Sequence, residues 1–272
     1  MDQDFNSRRD FLALSAAVAA TAGMPSSAAA EASPGSRHQV VCVLGASGMV
    51  GNAIVRELLA ADYRVVAVSR DVDKLATIRA TYRGAAALET LQGDVSSDEL
   101  AQQLRSELIA KFGPLRAVVA SLSSREADGP RRILDTSTDT LRRAFDTNFF
   151  PHVSAARGLI PALEPSGVYL GINGGLADFA GAGMGQLSIT QSALRTLYEV
   201  LAQEAGKPPP GGHPAFVRVL GLYGLVDPGP ATPDPQGRLI SGQAIGQRAK
   251  DIIGQPQSFP GPSLAIKARA YS

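Results

Sequence analysis

The chain has 272 residues, a net charge of +1 and a single cysteine. Charges of both signs are spread along it, so it offers no basic stripe for a nucleic acid and no polybasic patch for a membrane surface. One cysteine cannot form an internal disulfide. We therefore expect no nucleic-acid partner and no disulfide framework.

The first 30 residues have the pattern of an export signal. Residues 7–12, SRRDFL, match the twin-arginine consensus closely, and an alanine-rich apolar stretch follows to about Met24. This stretch is shorter than the ~20 apolar residues that span a bilayer, and three alanines at 28–30 suit a signal peptidase. The pattern predicts a twin-arginine signal over 1–30 and a linker over 31–38. The mature protein would then be periplasmic or secreted, without stable membrane insertion; an ordinary membrane anchor or a chance match is the alternative.

Apolar runs and helix-periodic segments alternate regularly from residue 39 onwards. The apolar runs predict strands at Val40–Leu44, Arg64–Ser69, Ala86–Gln92, Leu115–Ala120, Gly167–Ile172 and Ala215–Leu220. Segments of 3.6-residue periodicity predict helices at about 52–61, 72–82, 97–111, 137–163, 186–205 and 241–253, with an edge strand at 264–270. This order predicts an α/β fold with one domain over 39–272: a single Rossmann-type, doubly wound parallel sheet with helices on both faces.

A glycine loop follows the first strand. Its glycines are three residues apart and lie between a buried-type strand and a helical pattern. Glycines at these places permit a tight turn and let backbone amides approach a pyrophosphate at a helix N-terminus. The spacing predicts a dinucleotide site, with cofactor contacts at Gly45, Ser47, Gly48, Met49, Val50 and Gly51.

The end of the second strand bears on which nucleotide is bound. An acidic residue there would hydrogen-bond the ribose hydroxyls of NAD, whereas this chain has Ser69 followed by Arg70. A guanidinium at this position can hold a 2'-phosphate, so the sequence predicts NADP. NAD is the alternative, because Asp71 follows one residue later, and Arg70 could also be a solvated charge at the strand end.

The cysteine and two of the histidines indicate neither a catalytic thiol nor a metal site. Cys42 lies inside the first strand, where burial raises the pKa of a thiol and makes a catalytic role improbable. His38 and His213 have no neighbours of the kind that bind metals.

With these motifs placed, residues from about Gln39 to Gly224 resemble the short-chain dehydrogenase/reductase family. The glycine loop is most similar to that of its extended or atypical branch. The resemblance implies that Asp94 lies beside the adenine and that Asn148 orders a water and shapes the active site. Further cofactor contacts are expected at Val95, Ala120, Ser121 and Gln191.

The family usually works through a serine, a tyrosine and a lysine, and this chain departs from that pattern. Alignment puts Gly174 or Gly175 at the serine, Leu187 at the tyrosine and Gln191 at the lysine. No tyrosine in the chain has a lysine four residues later. Leucine cannot donate a proton, and a neutral glutamine cannot lower a neighbour's pKa by its charge. The usual proton transfer is therefore expected to be missing.

Three side chains are candidates for catalysis instead: Asn148, His152 and Tyr223. His152 follows Asn148 by four residues, on the same face of the predicted long helix, and histidine titrates near neutral pH. Tyr223 follows the sixth strand, at the sheet edge where ligands bind in open sheets, as Ser121 and Ser123 follow the fourth. The alternatives are a packed or interface histidine, and loop or capping roles for the hydroxyls.

We interpret the sequence as an exported NADP-dependent oxidoreductase with non-standard catalytic residues, acting on an unidentified small carbonyl or alcohol. One alternative is a catalytically inactive homologue that binds a nucleotide or a partner. Another is a non-redox isomerase or lyase, because the same fold hosts many reactions. The glycine-rich run 171–185 would suit an apolar substrate, and the resemblance implies a homodimer through the helices around Asn148 and Gln191.

Overall fold

Seven strands form one parallel sheet in the computed structural model, which describes residues 39–123, 131–207, 212–227 and 232–272. The strands are β1 (Val40–Leu44), β2 (Arg64–Ser69), β3 (Leu88–Gln92), β4 (Leu115–Ala120), β5 (Leu163–Gly174), β6 (Phe216–Tyr223) and β9 (Ser263–Lys267). Their order in the sheet is β3-β2-β1-β4-β5-β6-β9, and every neighbouring pair is parallel. Two short strands, β7 (Leu225–Val226) and β8 (Leu239–Ile240), pair separately.

Seven α-helices cover the two faces of this sheet within the described residues. They are α1 (Met49–Ala60), α2 (Val72–Thr81), α3 (Asp98–Phe112), α4 (Thr138–Asn148), α5 (Phe150–Leu159), α6 (Gly185–Ala205) and α7 (Gly242–Gly254). Successive side chains of a strand point to opposite faces, so β1 contributes Cys42 and Leu44 to one core and Val41 and Val43 to the other. The first core also holds α3, α5 and α6, the second α1, α2 and α7. The predicted doubly wound α/β fold is confirmed.

The predicted long helix over 137–163 is wrong, because the chain breaks it at Phe149. The backbone there has φ −120° and ψ −59°, which ends α4, and α5 begins with Phe150 and Pro151. Proline has no N–H to donate and its ring clashes with the carbonyl four residues earlier, so a continuous helix through Pro151 would be strained. Asn148 and His152 consequently lie on different helices and do not share a helix face.

The single cysteine is part of the sheet interior. Cys42 is fully buried in β1, and burial raises the pKa of its thiol to about 12. The thiol is therefore protonated at neutral pH, and a thiolate nucleophile is not available there.

Metal sites and membrane spans can be assessed only over the part of the chain that the structure describes. That part contains no cluster of His, Cys, Asp or Glu able to hold a metal ion. It also contains no helix with the length and apolar character needed to cross a bilayer. The predicted signal peptide and linker, residues 1–38, and His38 lie outside the described residues.

Gly171, in the middle of β5, makes room for an aromatic ring. A Cβ atom at this glycine would overlap the ring of Tyr198, which is fully buried on α6. Tyr198 also stacks on Tyr169 of β5, with ring centroids 6.2 Å apart and planes at 30°. The absent side chain at Gly171 thus sets how closely α6 packs on the sheet.

We expect Gly171→Ala to lower the free energy of unfolding by about 1–3 kcal/mol or more, because the methyl group displaces Tyr198 in a close-packed core. Gly174→Ala is the matched control in the same strand, since its Cβ would meet its nearest neighbour, Gln191 Oε1, at an ordinary 3.5 Å. Urea unfolding of both variants measures the difference. Equal midpoints would contradict the packing argument.

Candidate functional site

A cleft of about 540 Å³ opens at the carboxyl ends of the central strands. It lies where the strand order reverses between β1 and β4, which is the usual ligand position in open α/β sheets. Eight of the residues predicted to bind a cofactor line it: Gly45, Ser47, Gly48, Ser69, Arg70, Asp94, Val95 and Ser121. The structure thus brings together side chains that come from four strand ends.

The other five predicted cofactor residues do not line the cleft. Met49, Val50 and Gly51 form the first turn of α1, directly behind Gly48. Ala120 is fully buried at the end of β4. Gln191 lies on α6, at the end of β5.

The glycine loop is shaped by backbone contacts that exclude side chains. Gly45 has φ +70°, and a Cβ atom there would overlap the carbonyl oxygen of Ser121. A Cβ at Gly51 would overlap the carbonyl oxygen of Gly45. Gly48 begins α1 without a side-chain cap, so the first amides of the helix are available to an anion.

Two cations lie at the β2 side of the cleft. Arg70 and Lys74 both line it, next to the hydroxyls of Ser47 and Ser69, whose oxygens are 3.4 Å apart. The sequence interpretation missed Lys74, which lies in the first turn of α2, just after the strand end that carries Arg70.

Asp71 lines the same cleft and is held at the start of α2. Its Oδ1 accepts hydrogen bonds from the amides of Asp73 (3.0 Å) and Lys74 (3.1 Å), and so caps α2. These bonds, mainly that from Lys74, lower the pKa of the Asp71 carboxyl. Its Oδ2 lies 3.7 Å from the Lys74 ammonium, in an exposed ion pair. The carboxylate is therefore engaged both as a helix cap and with Lys74.

The β3 side of the cleft is acidic and hydroxyl-rich. Asp94 Oδ1 accepts from the Ser96 amide at 2.9 Å, and Oδ2 accepts from the Ser96 hydroxyl at 3.0 Å. Asp146 and Thr147 of α4 and Pro151 of α5 face the same cleft. Sequence reasoning missed these three, because their approach depends on the break between the two helices.

At the end of β5, uncharged amides take the positions of the expected ionisable groups. Gln191 Oε1 accepts a hydrogen bond from the Gly174 amide at 2.6 Å, and Asn173 Nδ2 donates to the Gln191 carbonyl at 2.9 Å. Asn173 Oδ1 is buried and has no hydrogen-bond partner among the described residues. Leu187 is half-buried one helical turn before Gln191.

Asn148 is buried at the end of α4. Only 1% of its surface is exposed, and its Nδ2 donates to the Ala144 carbonyl (3.2 Å) and the Thr147 hydroxyl (3.0 Å). Its carboxamide is thus tied to its own helix and does not line the cleft.

His152 lies in the core rather than in the cleft. It is fully buried, with Nε2 2.8 Å from the Leu122 carbonyl and Nδ1 2.6 Å from the Tyr198 hydroxyl. Burial lowers the pKa of His152 to about 4, so the ring is neutral near pH 7. The folded pKa lies below the ordinary 6.5, so the stability that depends on the neutral ring is kept above pH 6.5 and lost as the pH falls towards 4. This geometry fits a packed histidine better than an acid or base at neutral pH.

Tyr223 packs its ring against two glycines. Ring atoms come within 3.0 Å of the positions where Cβ atoms of Gly175 and Gly221 would lie. The ring therefore leans back along β6, over Gly221, instead of extending beyond the strand end. Ser121 and Ser123 do line the cleft.

Sequence comparison relates part of the chain to a dehydrogenase. A 1,2-dihydroxy-1,2-dihydronaphthalene dehydrogenase of Ralstonia sp is 25% identical over 172 residues, 61% of this chain and 64% of that protein. The chain thus matches less than two thirds of that relative's length.

Solved structures share the fold at low identity. A short-chain dehydrogenase/reductase of Brucella melitensis described as a glucose/ribitol dehydrogenase superposes with a TM-score of 0.74, at 17% identity, over 88% of this chain and 98% of its own. A short-chain dehydrogenase/reductase of Serratia marcescens gives 0.72 at 18% identity, over 88% of this chain and all of its own. The family model for short chain dehydrogenases matches residues 39–208, more than half of the chain. The protein therefore belongs to the short-chain dehydrogenase/reductase family.

Proposed function

We propose that this protein binds NADP(H) in the cleft and is an oxidoreductase with non-standard catalytic residues, acting on a small carbonyl or alcohol. The observation that carries the nucleotide assignment is the pair of cations, Arg70 and Lys74, beside the hydroxyls of Ser47 and Ser69. NADPH bound there would supply a hydride, and the protein would supply binding and orientation.

The charges at the β2 side favour a phosphorylated ribose over a free one. A free ribose would need an unengaged carboxylate to accept its hydroxyls, but Asp71 already accepts two amide hydrogen bonds at the start of α2. A 2'-phosphate would instead find the guanidinium of Arg70 and the exposed ammonium of Lys74, which it would share with Asp71 Oδ2 at 3.7 Å. NAD remains the alternative cofactor.

Arg70→Ala is expected to weaken NADPH binding about 10- to 100-fold and to leave NADH binding nearly unchanged, because a charge-assisted hydrogen bond contributes ~1.5–3 kcal/mol. Fluorescence titration with both nucleotides measures the two dissociation constants. Arg79→Ala is the control, since Arg79 is a nearby arginine on α2 that donates to Thr90. Equal losses for the two nucleotides in Arg70→Ala would refute the 2'-phosphate assignment.

The proposed reaction centre lacks the family's usual proton donor. Leu187 and Gln191 offer no acidic proton, and the Gln191 oxygen is held by the Gly174 amide. Loss of general acid catalysis costs typically ~10²- to 10⁴-fold in rate, so slow turnover remains compatible with hydride transfer. The same observation supports a second candidate function, a homologue that binds the nucleotide without turnover.

Restoring the missing groups tests the chemistry directly. The double substitution Leu187→Tyr with Gln191→Lys is expected to raise NADPH-dependent reduction across a carbonyl panel by ~10²- to 10⁴-fold, because a phenol can then donate a proton and a neighbouring ammonium lowers its pKa. The control is Leu187→Phe with Gln191→Lys, which has the ring and the charge but no hydroxyl. Equal rates in the two variants would exclude Leu187 as the site of the missing donor.

We also propose export of the folded protein by the twin-arginine pathway. This rests on residues 7–12 alone, which lie outside the described residues. Arg8→Lys with Arg9→Lys is expected to keep the full-length precursor in the cytoplasm, as measured by cell fractionation and by the mass of the mature N-terminus. Processed protein of the double variant in the periplasm would count against this route.

A further inference from the structure

A buried hydrogen-bonded pair, Tyr198 and His152, lies behind the cleft and takes no part in the proposed chemistry. Both side chains are fully buried, and their rings meet edge to face with centroids 5.8 Å apart. Burying two polar groups in an apolar core is costly unless each makes its hydrogen bonds. The role of the pair therefore depends on which groups these hydrogen bonds join.

The carbonyl oxygen of Leu122 fixes the direction of the bonds. A carbonyl can only accept, so His152 Nε2 carries the proton and donates to Leu122 over 2.8 Å. In that tautomer Nδ1 is an acceptor, and the Tyr198 hydroxyl donates to it over 2.6 Å. The result is one directed chain from Tyr198 through His152 to the backbone at Leu122.

The Tyr198 end of this series of hydrogen bonds lies against the centre of the sheet. The Tyr198 ring lies over Gly171, where no side chain is possible, and stacks on Tyr169. Both contacts are with β5, so the hydroxyl of Tyr198 is held in place by close packing rather than by a flexible loop.

The other end reaches the wall of the cleft. The pairing of β4 with β5 ends at Ala120, opposite Gly171, so Leu122 is beyond the ladder of strand hydrogen bonds. Ser121, Leu122 and Ser123 all line the cleft, and the Ser121 carbonyl touches Gly45 of the glycine loop so closely that no Cβ fits. The Ser121 amide still donates to Leu44 of β1 at 3.2 Å, and the bond from His152 holds the next residue, beyond that contact.

We propose that His152 and Tyr198 are positioning residues for nucleotide binding: they hold the Leu122 carbonyl and thereby keep residues 121–123 against the glycine loop. This rests on the proposed nucleotide function of the cleft. A leucine pair would fill the same core volume, but it would give no directional bond to the loop backbone. The polar pair acts at a distance from the cofactor, through the loop.

Nucleotide affinity and folding stability must be measured separately to test this. His152→Leu is expected to weaken NADPH binding by at least about 10-fold at a temperature where the variant is fully folded. His152→Gln, whose amide can again donate towards Leu122, is expected to bind within about 3-fold of the unmodified protein. Leu194→Ala is the stability control: Leu194 is buried in the same core on α6, and this truncation costs ~2–5 kcal/mol without removing either hydrogen bond of His152.

Three outcomes would overturn the proposal. They are unchanged affinity in His152→Leu, no recovery in His152→Gln, and an equal loss of affinity in the destabilised Leu194→Ala. If the unmodified protein bound neither NADPH nor NADH, the proposed nucleotide function would fail, and the positioning role would be decided by hydrogen exchange. His152→Leu should then exchange the amides of residues 121–123 at least about 10-fold faster than Leu194→Ala does, and equal exchange would reject the role.

Discussion

The site depends on a contact between two backbones. The carbonyl of Ser121, just after β4, presses on Gly45, just after β1, so closely that the glycine cannot carry a side chain. Gly45 is also in the left-handed region, with φ +70°, where other residues are strained. This contact sets the separation of the two loops, and hence the width of the cleft between the ends of β1 and β4. The contacts proposed for the glycine loop and for Ser121 depend on that width.

The charged groups of the site line the cleft, whereas the uncharged amides at the end of β5 do not. Arg70 and Lys74 stand at the β2 side, whereas the end of β5 offers the amides of Asn173 and Gln191 and the hydrocarbon of Leu187. The groups that would bind a nucleotide are therefore present without the usual groups that would move a proton. Binding and catalysis use separate groups in this fold, so one can persist while the other is lost or replaced.

The fold could be predicted from the sequence, because valine-rich strands, glycine loops and helical periodicity are patterns among neighbouring residues. Eight of the predicted cofactor residues line one cleft for the same reason, since the carboxyl ends of parallel strands meet at one edge. Pro151 also indicates the break between α4 and α5, but the predicted helix over 137–163 ignored it. The partnership of His152 with Tyr198 was not readable, because 46 residues separate them and only the packing of α6 over Gly171 brings them together.

The burial of the single cysteine makes its reactivity a measure of local unfolding. Cys42 sits in the first strand of the sheet with no exposed surface, so a thiol-modifying reagent can reach it only when that strand comes apart. Oxidants would not reach this thiol in the folded molecule, and neither mixed disulfides nor cross-linked dimers would form through it. The rate at which a reagent labels Cys42 would therefore measure how often β1 separates from the sheet.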